Sequence, residues 1–497
     1  MNQNNISAAE LFQRVRELLT LPDLEPKTRN KMMHDTLILC CHEGVKDTKQ
    51  AFGNLFSQVD YLCKARGIKV ANKIAIQTMR RHSNSQEPLS GEDLKYDARA
   101  LTLFISAVFE ERIPHEVNVL IPHINRPFQK GLEINNRRIR CIVKNWDSDF
   151  IRVDIDQDAD EEEYLVRLKD EENHINHTYL WDLLKEGMQL NLLDCQVKQP
   201  IITPRLIVVE PDYLVDISSI ATCFTAFGHH PLLYLLNLMK PRANTQATLL
   251  GNFAGAALDD IINSHGKYQV NETVKSNFRE KALEFCTCPW FDAKKFYTDA
   301  NLQAFNLQQV VDILFPRTAS QAKMSAFRGE SLYDRKKAIL EPSFVCEALG
   351  IQGRVDLMTT DCKLLVEQKS GRNMNIETHQ VDPAYHSYQL EPHYVQLLLY
   401  YGVLQHNFKL SNDRVNIRLL YSKYQPQDGL MVVAYYQKLF KEAIEYRNQL
   451  VAASFEIAKE GFEHALNEFT PEVLNVAGTQ DFFYNKYLKP QIEAITK

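Results

Sequence analysis

The chain of 497 residues contains ten cysteines, 45% hydrophobic and 24% charged residues, and carries a formal net charge of −6. This length exceeds what one compact core usually holds and predicts several domains. The mild acidity excludes a chain that is basic throughout, the scattered cysteines form no regular disulfide framework, and no apolar run in the sequence is long enough to span a membrane. We therefore expect an intracellular, cytoplasmic protein, nucleoid-associated if it is bacterial, in which any nucleic-acid surface is local.

The predicted elements fall into four regions in chain order. Residues 1–113 form an N-terminal helical region, because segments such as "FGNLFSQVDYLCKARGI" place apolar residues three and four positions apart. Residues 114–204 contain short segments with two-residue alternation, including "HEVNVLIPHI" and "RRIRCIVKNW", which predict a small OB-like β-barrel. Residues 205–425 combine a long helical stretch with a hairpin and another helix, and residues 426–497 are predicted to be a C-terminal helical region. The expected fold class is α/β and multidomain.

The segment "GRVDLMTTDCKLLVEQKSG" (353–371) predicts two strands joined by a turn near Asp361 and Cys362. A hairpin centred there places Asp356 directly opposite Glu367, with their Cβ atoms about 5 Å apart. Side chains alternate along a strand, so Lys369 lies on the same face as Glu367. The alternative is an exposed hairpin whose charges are solvated, and a pairing shifted by one residue would separate the carboxylates.

Two facing carboxylates repel each other unless a cation lies between them. Oxygen ligands suit hard ions, so Mg²⁺ or Mn²⁺ is the expected metal. The ammonium of Lys369 can then orient a metal-bound water or offset charge that develops on a phosphate. Such a set of groups is suited to hydrolysis of a phosphodiester.

The helix "EPHYVQLLLYYGVL" places His393, Gln396 and Tyr400 on one polar stripe of an otherwise apolar helix. Beside the hairpin, this stripe could hold the lysine, a water or a phosphate. Alternatively, the glutamine and tyrosine satisfy each other in the core. Glu341, which precedes the first strand of the hairpin, is a candidate for a further carboxylate.

In this order, "GRVD", "VEQKSG" and "QLLLY" resemble the motif series of the PD-(D/E)XK nuclease superfamily, specifically its RecB-like branch. Roughly residues 205–450 are similar to the nuclease half of the DNA-replication helicase/nuclease family, in which a β-barrel region precedes the nuclease core. The resemblance implies a restriction-endonuclease-like core, with a mixed sheet flanked by helices. It also implies a Mg²⁺- or Mn²⁺-dependent DNA nuclease that cleaves single-stranded ends or flaps in replication or repair.

Roles for individual residues also follow from the resemblance. It implies that Asp356 and Glu367 bind metal together with the backbone of Gln368. Lys369 is the implied catalytic lysine. The other implied site residues support the geometry or match an acidic position of the family: Gln396, Tyr400 and Glu341.

The sequence departs from the family at a histidine that many relatives use to bind metal. That position is Gly255 here, and either Asp259 or Asp260, one turn onward, could replace the histidine. Alternatively, both aspartates are ordinary surface charges.

Two cofactor sites found among the relatives are not expected in this chain. Cys223 fits the first position of a four-cysteine iron–sulfur site, but no cysteine follows Cys362, so no iron–sulfur cluster is expected. The sequence also contains no G-x-x-x-x-G-K-[ST] phosphate loop, so no ATP site is expected. A helicase is then expected either in cis, beyond residue 497, or as a separate protein.

Basic residues near the hairpin are candidates for contacts with DNA. Arg354 and Arg372 flank the hairpin itself. The stretch 316–340 either lines a substrate channel or is a solvated linker, and it contributes Arg328, Arg335, Lys336 and Lys337. If the centre is inactive, the alternative function is a nuclease-like DNA-binding or scaffolding module.

Overall fold

The computed structural model describes residues 6–21, 23–127, 131–155, 163–239, 244–410, 414–480 and 484–496. It has an α/β fold with several sheets, one of them a closed barrel. None of the helices within these ranges combines the length and the apolar character needed to cross a membrane.

The N-terminal region is helical, as predicted, and buries its own apolar core. Ser7 forms a capping box with Glu10 at the first helix, and Ser90 accepts a hydrogen bond from the backbone N–H of Asp93 at the fifth. The short strand β1 (Ala51–Phe52) leaves this region and joins the main sheet of the molecule. The helices are α1 (Ala8–Thr20), α2 (Pro26–Val45), α3 (Leu55–Ala65), α4 (Val70–Asn84), α5 (Gly91–Phe109) and α6 (His115–Asn118).

The expectation of a strand in residues 115–124 is wrong. This stretch begins with helix α6 and continues in turns. Val117 and Ile121 lie four positions apart, and both are buried against the N-terminal helical core. The apolar residues thus follow a helical spacing, which the two-residue alternation of their neighbours masked.

A closed barrel follows. Its strands are β2 (Asn136–Trp146), β3 (Phe150–Ile155), β4 (Tyr164–Arg167), β7 (Gln189–Lys198) and β8 (Ile201–Val209), and a separate two-stranded sheet is formed by β5 (Lys169–Asp170) and β6 (Ile175–Asn176). The barrel order is β2–β3–β4–β8–β7, antiparallel except where β4 meets β8. The predicted boundary between residues 204 and 205 falls inside β8, so the barrel extends to Val209 instead.

After the barrel, the chain forms a second group of helices and two small sheets. One sheet has the order β13–β14–β9 and the other is a two-stranded hairpin. The strands are β9 (Val215–Asp216), β10 (Phe224–Thr225), β11 (Gly228–His229), β13 (Ser343–Cys346) and β14 (Ile351–Arg354). The helices are α7 (Ile217–Ala221), α8 (Leu233–Met239), α9 (Gln246–Asn263), α10 (Val270–Glu280), α11 (Ala282–Cys286), α12 (Ala293–Leu314) and α13 (Ala319–Phe327).

The main sheet has six strands and carries the predicted hairpin at its centre. It is built from β12 (Ala338–Leu340), β15 (Leu357–Thr359), β16 (Leu364–Lys369), β17 (Asn416–Tyr421), β18 (Leu430–Val432) and β1, in the order β1–β18–β17–β16–β15–β12. Strands β15 and β16 are antiparallel, whereas β16 and β17 are parallel. The sheet is therefore mixed, as predicted for the core.

Helices cover both faces of the main sheet. Leu364 and Val366 of β16 pack in one apolar cluster with α9 and α12, whereas Leu365 packs in another with the helices α15 (Glu391–Phe408) and α17 (Gln437–Glu460). Because side chains alternate along β16, Glu367 and Lys369 share the α15 face with Leu365. The remaining helices are α14 (Met374–Thr378), α16 (Pro426–Gly429), α18 (Phe462–Glu468), α19 (Pro471–Val476) and a last helix, Lys489–Thr496.

A buried ion pair fixes the centre of the main sheet. Arg418 of β17 is 0% exposed, and its guanidinium binds both carboxylate oxygens of Glu330, at 2.8 and 3.0 Å. The same guanidinium donates to the carbonyl of Leu430 on β18. Paired charges of this kind tolerate burial only while both partners are present.

The predicted domain boundary between residues 425 and 426 falls inside the core, since both β18 and α17 belong to the core. Arg447 of α17 is 0% exposed and donates to the backbone carbonyls of Gly350, Val209, Glu210 and Tyr213. The next residue, Asn448, accepts from the N–H of Val209 and donates to the carbonyl of Ile207. Helix α17 therefore joins the end of the barrel to the turn that precedes β14.

Candidate active site

Three carboxylates lie in a row across neighbouring strands of the main sheet. Leu357 pairs with Val366, which is the register that places Asp356 opposite Glu367, as predicted. On the other side Leu340 pairs with Leu357, and the backbone N–H of Glu341 donates to the carbonyl of Asp356 at 3.0 Å. The hairpin prediction is confirmed, and the strands bring Glu341 beside the same site.

Asp356 lies where the chain passes from one sheet to another. Strand β14 pairs with β13 and β9, whereas β15 belongs to the main sheet, and only Val355 and Asp356 separate them. The Oδ2 atom of Asp356 accepts a hydrogen bond from the backbone N–H of Gln368 at 2.6 Å. Burial raises the pKa of Asp356 above its usual value, an effect that this hydrogen bond and the charge of Lys369 oppose.

Glu367 is the most deeply buried carboxylate of the row, with 2% of its surface exposed. Burial raises the pKa of Glu367 to about 8, and the neighbouring charge of Asp356 adds to this effect. Its Oε1 atom accepts from Lys369 Nζ at 2.8 Å, whereas Oε2 has no hydrogen-bond partner among the described residues. A buried carboxylate oxygen without a partner is costly, so Oε2 is the atom of the row with unused hydrogen-bonding capacity.

The polar stripe of α15 lies against the hairpin, as predicted. Lys369 Nζ donates to Gln396 Oε1 at 2.8 Å, so Gln396 and Glu367 hold the ammonium between them. The hydroxyl of Tyr400 donates to the carbonyl of Arg354 at 2.7 Å, directly before the Asp356 turn. His393 contacts the Tyr421 hydroxyl through Nδ1, and burial lowers the pKa of this histidine to about 3.

The two candidate aspartates are adjacent on helix α9 but have different surroundings. The Oδ2 atom of Asp260 accepts a hydrogen bond from the Thr273 hydroxyl, and the residue is exposed. Asp259 is half-buried, and burial raises its pKa to about 6, with further contributions from Glu341, Asp260 and Asp356. Asp259 is therefore the aspartate that interacts electrostatically with the other carboxylates of the site.

The face of α9 that carries Asp259 also carries two glycines, and there is open space beside one of them. Gly251, Gly255 and Asp259 follow one another at four-residue spacing and so share one face of the helix. A Cβ atom at Gly251 would lie 3.2 Å from the hydroxyl of Ser370, just beyond Lys369, whereas a Cβ atom at Gly255 would meet nothing within 4 Å. This face therefore passes the end of β16 with room beside position 255.

The basic residues that were predicted to contact DNA differ in whether other groups of the protein already bind them. Arg354 lies 3.3 Å from Glu341, and Arg372 pairs with Glu377, but both arginine side chains are 62% exposed. The guanidinium of Arg335 instead donates to the carbonyls of Ile261 and Ile262 at the end of α9, which is a structural contact. Lys337 pairs with Asp361 of the hairpin turn at 3.1 Å, Lys336 is exposed, and Arg328 is half-buried at the end of α13.

Asp356 and Glu367 are the side chains of the site that could hold a divalent metal ion. Within the described ranges, no three or more His, Cys, Asp or Glu side chains are already grouped so that they could hold an ion. However, Mg²⁺ is usually bound by one or two carboxylates, with waters and substrate phosphates completing its shell. Asp356 and Glu367 supply this pair, and the unpartnered Oε2 of Glu367 is a free ligand atom. The side chain of Gln368 turns away to Ser422, which leaves its backbone carbonyl as the candidate ligand.

The sequence matches no protein-family model and no curated protein. The assignment of a function to this site therefore depends on its geometry and on the motif resemblance.

The raised pKa of Glu367 predicts that, in the absence of metal, the stability of the fold decreases as the pH rises. The folded state keeps this group protonated up to pH about 8, whereas the unfolded chain releases the proton near its ordinary value of 4.5. The contribution of Glu367 to stability is therefore fully present below pH about 4.5 and is lost as the pH rises towards 8. We expect Glu367→Gln to remove this loss and to raise the free energy of unfolding at pH 8 by about 3–5 kcal/mol.

The measurement is urea unfolding in EDTA at several values between pH 5 and pH 8. Glu377→Gln is the matched control, because Arg372 binds this glutamate and lowers its pKa, so the sign of its effect is opposite. Parallel pH profiles for wild type and Glu367→Gln would show that Glu367 is ionised in the folded protein.

Proposed function

We propose that this chain is a divalent-metal-dependent nuclease that hydrolyses phosphodiester bonds in single-stranded DNA ends or flaps. The observation that carries the proposal is the carboxylate row, where Lys369 contacts the buried Glu367 and the second oxygen of Glu367 is unpartnered among the described residues. A structural salt bridge needs neither the facing carboxylate of Asp356 nor a free oxygen. The motif resemblance of the hairpin and of α15 supports the same reading.

The finer assignments of fold are part of the proposal. The mixed sheet, with Asp356 and Glu367 on adjacent strands and helices on both faces, agrees with a PD-(D/E)XK core. The five-stranded barrel before it, with its parallel contact between the third and fifth strands, agrees with an OB-like barrel. A helicase in the same polypeptide or in a separate protein stays a prediction from the sequence.

Each residue of the site has a distinct proposed role. Asp356 and Glu367 would hold the metal ion, with the Gln368 carbonyl and Asp259 as further ligands. When bound, the ion would supply Lewis acidity for activation of water and for stabilisation of the leaving oxygen. Lys369 presents its ammonium where it can orient the attacking water or offset negative charge on the phosphate.

Two residues of α15 position this machinery. Gln396 fixes the Lys369 ammonium, and Tyr400 fixes the backbone directly before Asp356 through the Arg354 carbonyl. The exposed guanidinium of Arg354 lies beside the row, where it can contact a substrate phosphate.

The test is cleavage of end-labelled single-stranded and flap DNA in Mg²⁺ or Mn²⁺, with EDTA as the metal-free control. We expect the wild-type protein to cleave, Asp356→Asn to be inactive, and Asp259→Asn to need a higher metal concentration for half-maximal rate. Asp260→Asn is the matched control for Asp259, since it makes the same charge change one residue away on a carboxylate held by Thr273.

Two outcomes would count against this proposal. Wild-type cleavage no greater than that of Asp356→Asn would leave the alternative, a nuclease-like module that binds DNA without cutting it. Equal metal dependence of the Asp259 and Asp260 variants would remove Asp259 from the set of metal ligands.

A further inference from the structure

A cation-lined cavity of about 670 Å³ lies where the barrel meets the core, away from the carboxylate row. Five side chains of positive charge line it, whereas Asp194 is the one carboxylate among its described lining residues. The cations are Arg137, Arg138, Arg205, Lys409 and Lys441.

The architecture brings these cations together from separate elements. Arg138 of β2 pairs with Leu193 of β7, which pairs with Leu206 of β8, and both leucines belong to the apolar cluster of the core rather than to that of the barrel. Since neighbours in register share one face of a sheet, Arg138 lies on the barrel face that is turned to the core. From the core side, Lys409 ends α15 and Lys441 lies in the second turn of α17.

Carboxylates near the cavity compensate only part of this positive charge. Arg137 binds Asp194 at 2.8 Å, and Arg205 donates to the carbonyl of Leu132. No hydrogen bond or ion pair engages the side-chain nitrogens of Arg138, Lys409 or Lys441 within the described part of the chain. Burial, with the nearby charge of Arg205, lowers the pKa of Lys441, and the carboxylate of Glu445 opposes this effect.

The wall of the cavity also contains aromatic residues. Tyr435 and Phe440 line the cavity, with their ring centroids 5.8 Å apart. Phe440 is buried in the core and Tyr435 is half-buried, so the aromatic surface beside the cations is that of Tyr435. Proteins that bind unpaired strands combine basic grooves for the backbone with aromatic rings on which bases stack. An isolated inorganic anion would need the cations but not the aromatic surface.

We infer that this cavity binds the phosphates of a single-stranded nucleic acid, and this inference rests on the proposed function for the identity of the ligand. Gln396 and His406 lie ten residues apart on α15, and His406 lines the cavity, so the two sites are separated by about 15 Å along the helix axis. The cavity would therefore hold the strand at a distance from the bond to be cut. It would contribute affinity rather than chemistry.

The experiment measures binding of a labelled oligothymidylate, about 16 nucleotides long, by fluorescence anisotropy in EDTA over a range of salt concentrations. The test variant is Arg138→Ala with Lys409→Gly. Lys409 has a φ of 54°, a conformation that glycine adopts readily, and Arg138 is exposed, so the fold is expected to survive. The control is Lys185→Ala with Lys459→Ala, which removes the same charge from exposed residues that do not line the cavity.

We expect the test variant to make the negative slope of log K against log salt less steep by about 1.4, since each lost phosphate contact on a single strand removes about 0.7 from its magnitude. This corresponds to roughly 25-fold weaker binding at 0.1 M salt. The control variant is expected to bind like wild type. Equal affinities and slopes for the two variants would overturn the inference.

A competition arm distinguishes a strand from a free anion. Unlabelled oligothymidylate is expected to displace the labelled strand at far lower phosphate concentration than inorganic phosphate does. Displacement at equal phosphate concentrations would assign the cavity to a small anion instead. Because binding is measured without metal, strand binding through the cavity without cleavage would refute the proposed function alone, and cleavage with cavity-independent binding would refute this inference alone.

Discussion

Replacement of Lys369 by Met is expected to reduce the rate of DNA cleavage by about 10²–10⁴-fold. Methionine keeps much of the length of the side chain but removes the ammonium that lies 2.8 Å from both Glu367 and Gln396. Binding of a single strand is expected to stay near the wild-type value, because the loss falls on the chemical step. Single-turnover cleavage and metal-free binding, measured on the same protein, separate these two effects.

Lys363→Met is the control, since it makes the same change in the same hairpin at an exposed position beside the turn. It is expected to cleave at the wild-type rate. If Lys369→Met also kept the wild-type rate, the ammonium would have no catalytic part and Lys369 would only neutralise Glu367.

Glu330→Gln is expected to lower the free energy of unfolding by about 3–5 kcal/mol. The change leaves Arg418 charged inside the main sheet, where its side chain is 0% exposed and its partner was a carboxylate at 2.8 Å. An uncompensated buried charge is far more costly than the loss of a surface pair. Urea unfolding, followed by circular dichroism, measures the effect.

Two further variants test this explanation. The double replacement Glu330→Leu with Arg418→Met is expected to recover most of the loss, because it removes both buried charges together. Asp361→Asn breaks the exposed pair with Lys337 and is expected to cost less than about 1 kcal/mol. A loss for Glu330→Gln as small as that for Asp361→Asn would mean that water reaches Arg418.

The hairpin and the stripe on α15 were predictable because local rules determine both. A short turn fixes the register of a hairpin, so the pairing of Asp356 with Glu367 followed from the position of Asp361 and Cys362. Helical spacing likewise placed Gln396 and Tyr400 on a common stripe. Neither conclusion needed information from distant parts of the chain.

Other features depend on contacts between distant segments and were not predictable. Asp259 and Asp260 are adjacent acids on one helix, and only the packing of α9 over the end of β16 decides which of them faces the site. The predicted boundary divides residues 201–209 where Thr203, Pro204 and Arg205 interrupt the apolar residues, yet the barrel uses the whole segment as one strand. The cavity at the barrel face likewise has no local pattern, since its cations come from four separate elements.

Helix α17 has a practical consequence for how the protein can be divided for biochemistry. Arg447 and Asn448 together donate to five backbone carbonyls, of Gly350, Val209, Glu210, Tyr213 and Ile207. A fragment that ended at residue 425, where the sequence suggested a boundary, would leave these carbonyls without their donors. It would also lack α17, which packs against the core. Fragments intended to carry the hairpin of the candidate site should therefore retain the chain through Glu460 and begin before β1, an edge strand of the main sheet.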